Sequence, residues 1–169
     1  MPVDFFLQGR KGTSDKELFG ICDDTVGRVK KPAYIDDADQ EKWIAEVHNN
    51  HGKLVDFYAI DCCVKWQLSN GDWAKACDGM LSYDNRHNII FVELKDRNPS
   101  YKQWRIKAEE QLKSTIAQFR QFHNTVGVSM KAYTCNKQAL FDVGEEDFIE
   151  RFKDETGVTL RVFREIEVS

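Results

Sequence analysis

Three charged residues, Asp78, Glu93 and Lys95, have the types and the spacing of a site for phosphate chemistry. Glu93 and Lys95 are two positions apart in an apolar segment, so in a strand their side chains point to the same face. Fourteen residues separate Asp78 from Glu93, and a polar reversal at 84–88 turns the chain back between them. The two segments then pair antiparallel, and Asp78 falls opposite about residue 94. We expect the three side chains to meet at one end of two paired strands.

The chemistry of this set is that of a divalent metal site. Two carboxylates held close together repel each other, and a hard cation between them removes that repulsion. Mg²⁺ prefers one or two carboxylates, waters and a substrate phosphate, so Asp78 and Glu93 are the expected Mg²⁺ ligands, with Mn²⁺ as a substitute. The backbone carbonyl of Leu94, between the two charged residues, is a further expected ligand. Lys95 would orient the attacking water and stabilise negative charge, which predicts hydrolysis of a phosphodiester bond.

Two elements that must position this set have clear sequence patterns. A strand is predicted over 88–95, and its four consecutive large apolar residues, Ile89–Val92, are typical of a central strand covered on both faces. A long helix is predicted over 101–123, because apolar residues recur there at intervals of three and four. That stripe consists of Trp104, Ala108, Leu112, Thr115, Ile116, Phe119 and Phe122.

The remaining segments complete an α/β protein. The patterns predict a helix at 36–50, strands at 54–60, 73–83 and 126–133, a short helix at 144–155 and an edge strand at 158–162. The first 34 residues are less regular, with a hairpin of 18–22 and 26–29 as one interpretation. This order predicts a mixed central sheet flanked by helices. We expect one domain, 1–169, with an N-terminal extension (1–34), a core (35–135) and a C-terminal helix-strand addition (136–169).

The arrangement resembles the PD-(D/E)XK nuclease superfamily, also called restriction-endonuclease-like. The resemblance rests on Asp-x14-Glu-x-Lys across two antiparallel strands and on the element order from Asp36 to Tyr133. It implies an αβββαβ core, here with an extra C-terminal helix and strand, and a Mg²⁺-dependent nuclease acting on DNA. It also implies that Asp78 and Glu93 are metal ligands and that Lys95 is the catalytic lysine.

The resemblance implies further site residues. Many relatives carry a glutamate on the first core helix, for which Glu46 is the candidate, and in the RecB-like branch a Gln-Leu pair follows the lysine, as Gln111-Leu112 does here. Two positions depart from the pattern: Cys77 stands where a proline is common, and Thr115 where an aromatic residue is expected. Because cleavage of a duplex needs two active sites, a homodimer is also expected.

Charge is distributed unevenly along the chain. The net charge is −4, which argues against a protein that coats nucleic acid indiscriminately. Between 95 and 137, however, nine cations face three anions. Such a stretch is either ordinary variation among surface helices or a face for an anionic ligand. For the second interpretation the expected phosphate contacts are Arg97, Lys102, Arg105, Lys107 and Gln111, with Tyr101 or Trp104 stacking on a base although Trp104 also fits the core stripe.

Other interpretations of the sequence remain open. A zinc site from His48, His51, Cys62, Cys63 and Cys77 is disfavoured, because adjacent cysteines in a strand face opposite ways and no Cys-x-x-Cys is present. Asp61 is an alternative third metal ligand. A catalytically inactive module on the nuclease scaffold, which regulates a partner protein, is the rival from another functional class. An unrelated fold with the acidic segment from Asp142 as a docking surface is a third.

Composition places the chain in a broad class. It is 41% hydrophobic and 31% charged, as expected for a globular core with an ionic surface. No run of 18 apolar residues and no signal-peptide pattern at the start is present, so membrane association is not expected. Five scattered cysteines suggest reduced thiols, and hence a cytoplasmic protein.

Overall fold

The computed structural model describes residues 2–96, 103–138 and 146–169. Its strands form two sheets, and its two longer helices precede and follow the strand Ser129–Asn136 in the chain. In chain order they are α1 (Phe5–Gln8), β1 (Arg10–Ser14), β2 (Leu18–Cys22), β3 (Tyr34–Asp36), β4 (Ala45–His48), β5 (Val55–Ala59), β6 (Gly79–Tyr83), β7 (Asn88–Lys95), α2 (Gln103–Phe122), β8 (Ser129–Asn136), α3 (Glu146–Thr156), β9 (Thr159–Val162) and β10 (Glu165–Glu167).

The larger sheet is mixed and has six strands in the order β1-β5-β6-β7-β8-β9. The pairs from β1 to β7 are antiparallel, whereas β7-β8 and β8-β9 are parallel. Parallel neighbours need a crossover, and α2 lies in the chain between β7 and β8. The prediction of an α/β protein with a mixed sheet and flanking helices is confirmed.

Strand β7 has the predicted bounds and an interior position in the sheet. Ile89 and Phe91 belong to one core cluster, which includes Leu112 of α2. Ile90 and Val92 belong to a second cluster on the other face. Because both faces are covered, four consecutive apolar residues are all buried, as the sequence pattern predicted.

The second face of β7 is covered by strands rather than by a helix. The predicted helix over 36–50 is wrong: β3, a 3-10 turn at Gln40–Lys42 and β4 occupy this segment. Along β4 the burial alternates, with Ala45 and Val47 inside and Glu46 and His48 half-buried, which is the period of a strand. These strands form a smaller sheet in the order β10-β4-β2-β3.

The acidic residues at 36–39 explain why this segment resembled a helix start. The Asp36 carboxylate accepts the backbone N–H groups of Ala38 and Asp39 and the indole N–H of Trp43, at 3.1, 2.8 and 2.8 Å. These bonds close a turn that short polar side chains form as readily as a helix cap. The Trp43 ring then lies over Gly20 of β2, where a β-carbon would stand 1.9 Å from it.

Helix α2 confirms the long amphipathic prediction within the described residues. Its apolar stripe is buried from Trp104 to Phe119, whereas Phe122, the last residue of the predicted stripe, is 38% exposed. The prediction for Tyr101 falls outside the described residues. Among those that are described, no helix is long and apolar enough to cross a membrane.

Each end of the chain contains strand pairings that the sequence patterns did not predict. In place of the proposed hairpin, β2 pairs with β3 and β4, and residues 23–33 form a loop in which Val26 and Val29 make an isolated bridge. At the other end, β9 is the predicted edge strand. The chain then continues into β10, which pairs in parallel with β4 and which the sequence analysis missed.

Candidate metal centre

The pairing of β6 with β7 brings Asp78 close to the other two residues of the predicted set, Glu93 and Lys95. Gly79 lies opposite Val92, so Asp78, one residue earlier, comes next to the end of β7. Its Oδ2 atom accepts the backbone N–H of Leu94 at 2.6 Å. The N–H and C=O of one strand residue point to the same edge, so the Leu94 carbonyl also faces the Asp78 side. The convergence predicted from the spacing is therefore present.

Glu93 is a buried carboxylate whose two oxygen atoms differ in their hydrogen bonding. Its side chain is 1% exposed, and its Oε1 atom accepts the Lys95 ammonium at 2.5 Å. Within the described part of the chain, Oε2 has no hydrogen-bond partner although no solvent reaches it. An unpartnered buried oxygen of this kind is costly unless something else binds it.

Burial disfavours the charged form of both carboxyl groups. It raises the pKa of Asp78 to about 7, against the lowering effect of the Leu94 N–H and of the Lys95 charge. Burial also raises the pKa of Glu93 well above its usual value, and the neighbouring Asp78 charge adds to this despite Lys95. Protons would therefore compete with a divalent cation for these two carboxyl groups.

Helix α2 fixes the chain around the site through two polar side chains. The Gln111 amide donates to the carbonyl of Ala76 at 3.2 Å, and its oxygen accepts the Lys95 ammonium at 3.3 Å. The Thr115 hydroxyl accepts the N–H of Cys77 at 2.8 Å and donates to the Gln111 carbonyl at 2.7 Å. Thr115, a departure from the family pattern, thus positions the residue before Asp78.

The three residues open into a cavity of about 600 Å³. Residues of the loop 23–33 form part of its wall, including Arg28 and Lys30, which the sequence analysis did not single out. Lys30 also contacts Asp61 at 3.7 Å. The cavity is acidic on balance, with five carboxyl groups and three cations. They are Asp23, Asp61, Asp78, Glu93 and Asp96, and Arg28, Lys30 and Lys95.

The donor set fits a hard divalent cation. The unpartnered Oε2 of Glu93, the second oxygen of Asp78 and the Leu94 carbonyl are all oxygen donors, which Mg²⁺ and Mn²⁺ prefer. Asp61, the alternative third ligand proposed from the sequence, lines the same cavity.

Glu46 lies outside this centre. It is on β4 of the smaller sheet rather than on a helix, and it does not line the cavity. It forms a cluster with His48 and Glu165, whose ligand atoms lie within 4.8 Å of one another. His48 Nε2 is 3.5 Å from the Glu46 carboxylate and 3.9 Å from that of Glu165. The prediction that Glu46 assists catalysis from a first core helix is therefore wrong, because this segment is a strand of the smaller sheet.

The predicted phosphate contacts are only partly placed. Arg97 and Lys102 lie outside the described residues. Arg105 and Lys107 are on α2, half-buried and exposed respectively, and neither lines the cavity, whereas Gln111 does. Trp104 is 5% exposed, so it belongs to the core stripe rather than to a base-stacking surface.

The cysteines do not gather into a metal site. Among the described residues all five are free thiols, three of them buried and Cys62 and Cys63 half-buried. His48 belongs to the cluster on the other sheet, and the Cys77 thiol contacts the carbonyl of Gly79 at 3.5 Å. The zinc interpretation gains no support from this arrangement.

Comparison with known proteins gives no relative. No family model, curated protein or solved structure matches the chain. The resemblance to PD-(D/E)XK nucleases therefore stays a prediction from the sequence pattern.

A substitution at Glu46 tests its separation from the centre. If the chain cleaves nucleic acid as its sequence predicts, Glu46→Gln should leave the rate within about twofold of the wild type, because Glu46 does not line the cavity of this centre. Initial rates on a fluorescent oligonucleotide measure this. A loss of tenfold or more would return Glu46 to the active site.

Proposed function

We propose that this chain is a Mg²⁺-dependent nuclease of the PD-(D/E)XK type that cleaves phosphodiester bonds in DNA. The observation that carries the proposal is the buried Glu93 carboxylate, whose Oε2 atom is unpartnered beside Asp78 while its Oε1 atom binds Lys95. An ion pair between Lys95 and Glu93 that only stabilised the fold would not need a second carboxyl group with a raised pKa, that of Asp78, beside it. A site that binds a cation and a phosphate needs all three groups.

The order of the strands and helix around the site supports the assignment. Three antiparallel strands, β5, β6 and β7, are followed by α2 and by β8, which pairs in parallel with β7. This order is the one expected of the βββαβ part of the core that the resemblance implies, and it supports the proposal. The first core helix is the departure: α1 has four residues, and the smaller sheet covers the corresponding face of β7.

Each group has a distinct role in the proposed reaction. Asp78, Glu93 and the Leu94 carbonyl would hold the cation, which supplies charge for the phosphate and acidifies a water molecule. Glu93 Oε1 and Gln111 Oε1 hold the Lys95 ammonium at the cavity wall. From there the ammonium orients the nucleophilic water and stabilises the charge that develops on the phosphate oxygens.

The balance of charge explains why substrate binding would depend on the metal. Five carboxyl groups and three cations line the cavity, and each carboxyl group that is ionised without a bound cation repels a phosphate. Arg28 and Lys30 on the loop 23–33 face the same cavity and are placed to contact the flanking phosphates.

The proposal is tested by cleavage of plasmid and of labelled single-stranded DNA, duplex DNA and RNA with Mg²⁺ or Mn²⁺. We expect the wild type to cleave DNA and EDTA to abolish this cleavage. In Glu93→Gln we expect the cleavage rate to fall by more than about 100-fold, which exceeds the effect of losing a group that only orients a metal ligand. Gln keeps the size of the side chain but removes the charge that binds the cation.

Glu46→Gln is the matched control, since it makes the same change on the other sheet. Equal cleavage by wild type and Glu93→Gln would contradict the proposal. Absence of both cleavage and metal binding in the wild type would favour the inactive binding module instead.

A further inference from the structure

One tryptophan differs from the other three in its exposure. Trp43, Trp66 and Trp104 are 2%, 6% and 5% exposed, whereas Trp73 is 64% exposed. A large aromatic ring in solvent contributes little to folding, and tryptophan is enriched at binding interfaces.

Trp73 is held on an ordered turn rather than on a loose loop. It bridges Gln67 across a short reversal, and hydrogen bonds from Leu68 N–H to Asp72 O and from Ala74 N–H to Trp66 O, at 2.8 and 2.9 Å, close that reversal. Trp66, buried in the main core cluster, anchors its base. The Trp73 ring is therefore presented by a fixed backbone.

The surface around Trp73 leads to the metal centre. Trp73 lines a cavity of about 410 Å³, which shares Lys30 and Asp61 with the larger cavity over Asp78 and Glu93. Lys65, an exposed cation, lines the Trp73 cavity as well. A cavity that is lined by an exposed aromatic ring and two lysines, next to a site for phosphate chemistry, has the composition of a track for single-stranded nucleic acid, although Asp61 also lines it and pairs with Lys30.

We propose that Trp73 stacks on an unpaired base of the substrate, with Lys30 and Lys65 on the adjoining phosphates, and that this chain therefore acts on single-stranded DNA or on single-stranded ends. The inference rests on the proposed function, because the metal centre fixes where the scissile phosphate lies. In a duplex both faces of an internal base are covered by its neighbours. Only an unstacked base offers a face to the ring.

The intrinsic fluorescence of the chain reports this contact, since Trp73 is its one exposed tryptophan among four described ones. We expect the oligonucleotide dT12 to quench the emission of the wild type, while a blunt hairpin duplex of equal charge does not. Anisotropy with labelled dT12 should show Trp73→Ala binding about 5- to 150-fold more weakly, the range expected for loss of one stacked base. Trp73→Phe should retain most of the affinity while losing the fluorescence change.

Phe163→Ala is the control, since Phe163 is 40% exposed but does not line either cavity. Binding is measured with Mg²⁺, and all variants are compared in the Lys95→Ala background, which slows cleavage and keeps the groups that hold the cation. Affinity of Trp73→Ala within twofold of the wild type would overturn the inference, as would equal quenching by the duplex or no quenching by either ligand.

Failure of this inference and failure of the proposed function give different results. If dT12 binds through Trp73 but no nucleic acid is cut, the base contact stands and the nuclease proposal fails. If Trp73→Ala binds and cuts single strands as well as the wild type does, the nuclease proposal stands and the base contact fails.

Discussion

Lys95→Ala is expected to lower Mg²⁺-dependent DNA cleavage by about 100- to 1,000-fold, as does loss of one donor to a developing oxyanion in other enzymes. The ammonium lies at the cavity wall beside Glu93 and Gln111, and alanine has no donor to replace it. Metal binding should persist, because Asp78, Glu93 and the Leu94 carbonyl remain. Cleavage rates and calorimetric Mn²⁺ titrations of the same preparation measure the two effects separately.

Lys53→Ala is the matched control for that loss. Lys53 also pairs with a carboxylate, Asp84 at 2.6 Å, but it does not line the metal-site cavity. We expect its cleavage rate to stay within about twofold of the wild type. If Lys95→Ala also keeps more than a tenth of the wild-type rate, the lysine does not act in the reaction.

A third variant separates positioning from chemistry. Gln111→Ala would keep the Lys95 ammonium but remove one of the acceptors that hold it, together with the bond to the Ala76 carbonyl. A smaller loss than in Lys95→Ala is therefore expected. If Gln111→Ala were the more damaging change, the amide would have a more direct role than the one assigned to it.

The elements that the sequence predicted correctly are those with a strong local pattern. Strand β7 combines four consecutive apolar residues with polar ends, and α2 repeats apolar residues at the helical period over 20 residues. The meeting of Asp78 with Leu94 was also predictable, because a short reversal fixes the register of two adjacent strands.

The elements that the sequence missed depend on distant contacts or on ambiguous signals. Acidic residues such as Asp36 and Asp39 are typical both of a helix start and of a polar turn. Here the pairing of the adjacent strands in the smaller sheet favours the turn. β10 is a short strand that pairs with β4, more than a hundred residues earlier. The loop 23–33 and Trp73 have no motif of their own, and only folding brings the loop to the metal-site cavity and Trp73 to the cavity beside it.

The second large effect that we expect is a dependence of the free energy of unfolding on pH and on a divalent cation. Burial raises the pKa of Asp78 to about 7 and that of Glu93 well above its usual value, so the metal-free folded chain holds protons that the unfolded chain has already released. Its free energy of unfolding therefore falls as the pH rises from about 4, the usual pKa of these carboxyl groups, to about 7 and beyond. Below about 4 both states are protonated, and this dependence disappears.

A divalent cation should reverse the loss at high pH. It binds the deprotonated carboxylates of the folded chain, and at 100 times its Kd it adds about 2.7 kcal/mol to the free energy of unfolding. For a chain of this size that raises the Tm by about 5–10 °C. We expect this increase with Mn²⁺ at pH 8 and an increase below about 2 °C at pH 5.5, where protons compete for the site. Differential scanning calorimetry at the two pH values measures it.

Asp78→Asn separates the metal centre from other sources of metal binding. The amide oxygen still accepts the Leu94 N–H, but the buried charge is gone. We expect the metal-free Tm at pH 8 to rise above that of the wild type and the increase with Mn²⁺ to vanish. Asp96→Asn, which changes an exposed carboxylate of the same cavity, should keep the full increase. If both variants respond to Mn²⁺ as the wild type does, the cation binds elsewhere, and the pairing of Asp78 with Glu93 is not a metal centre.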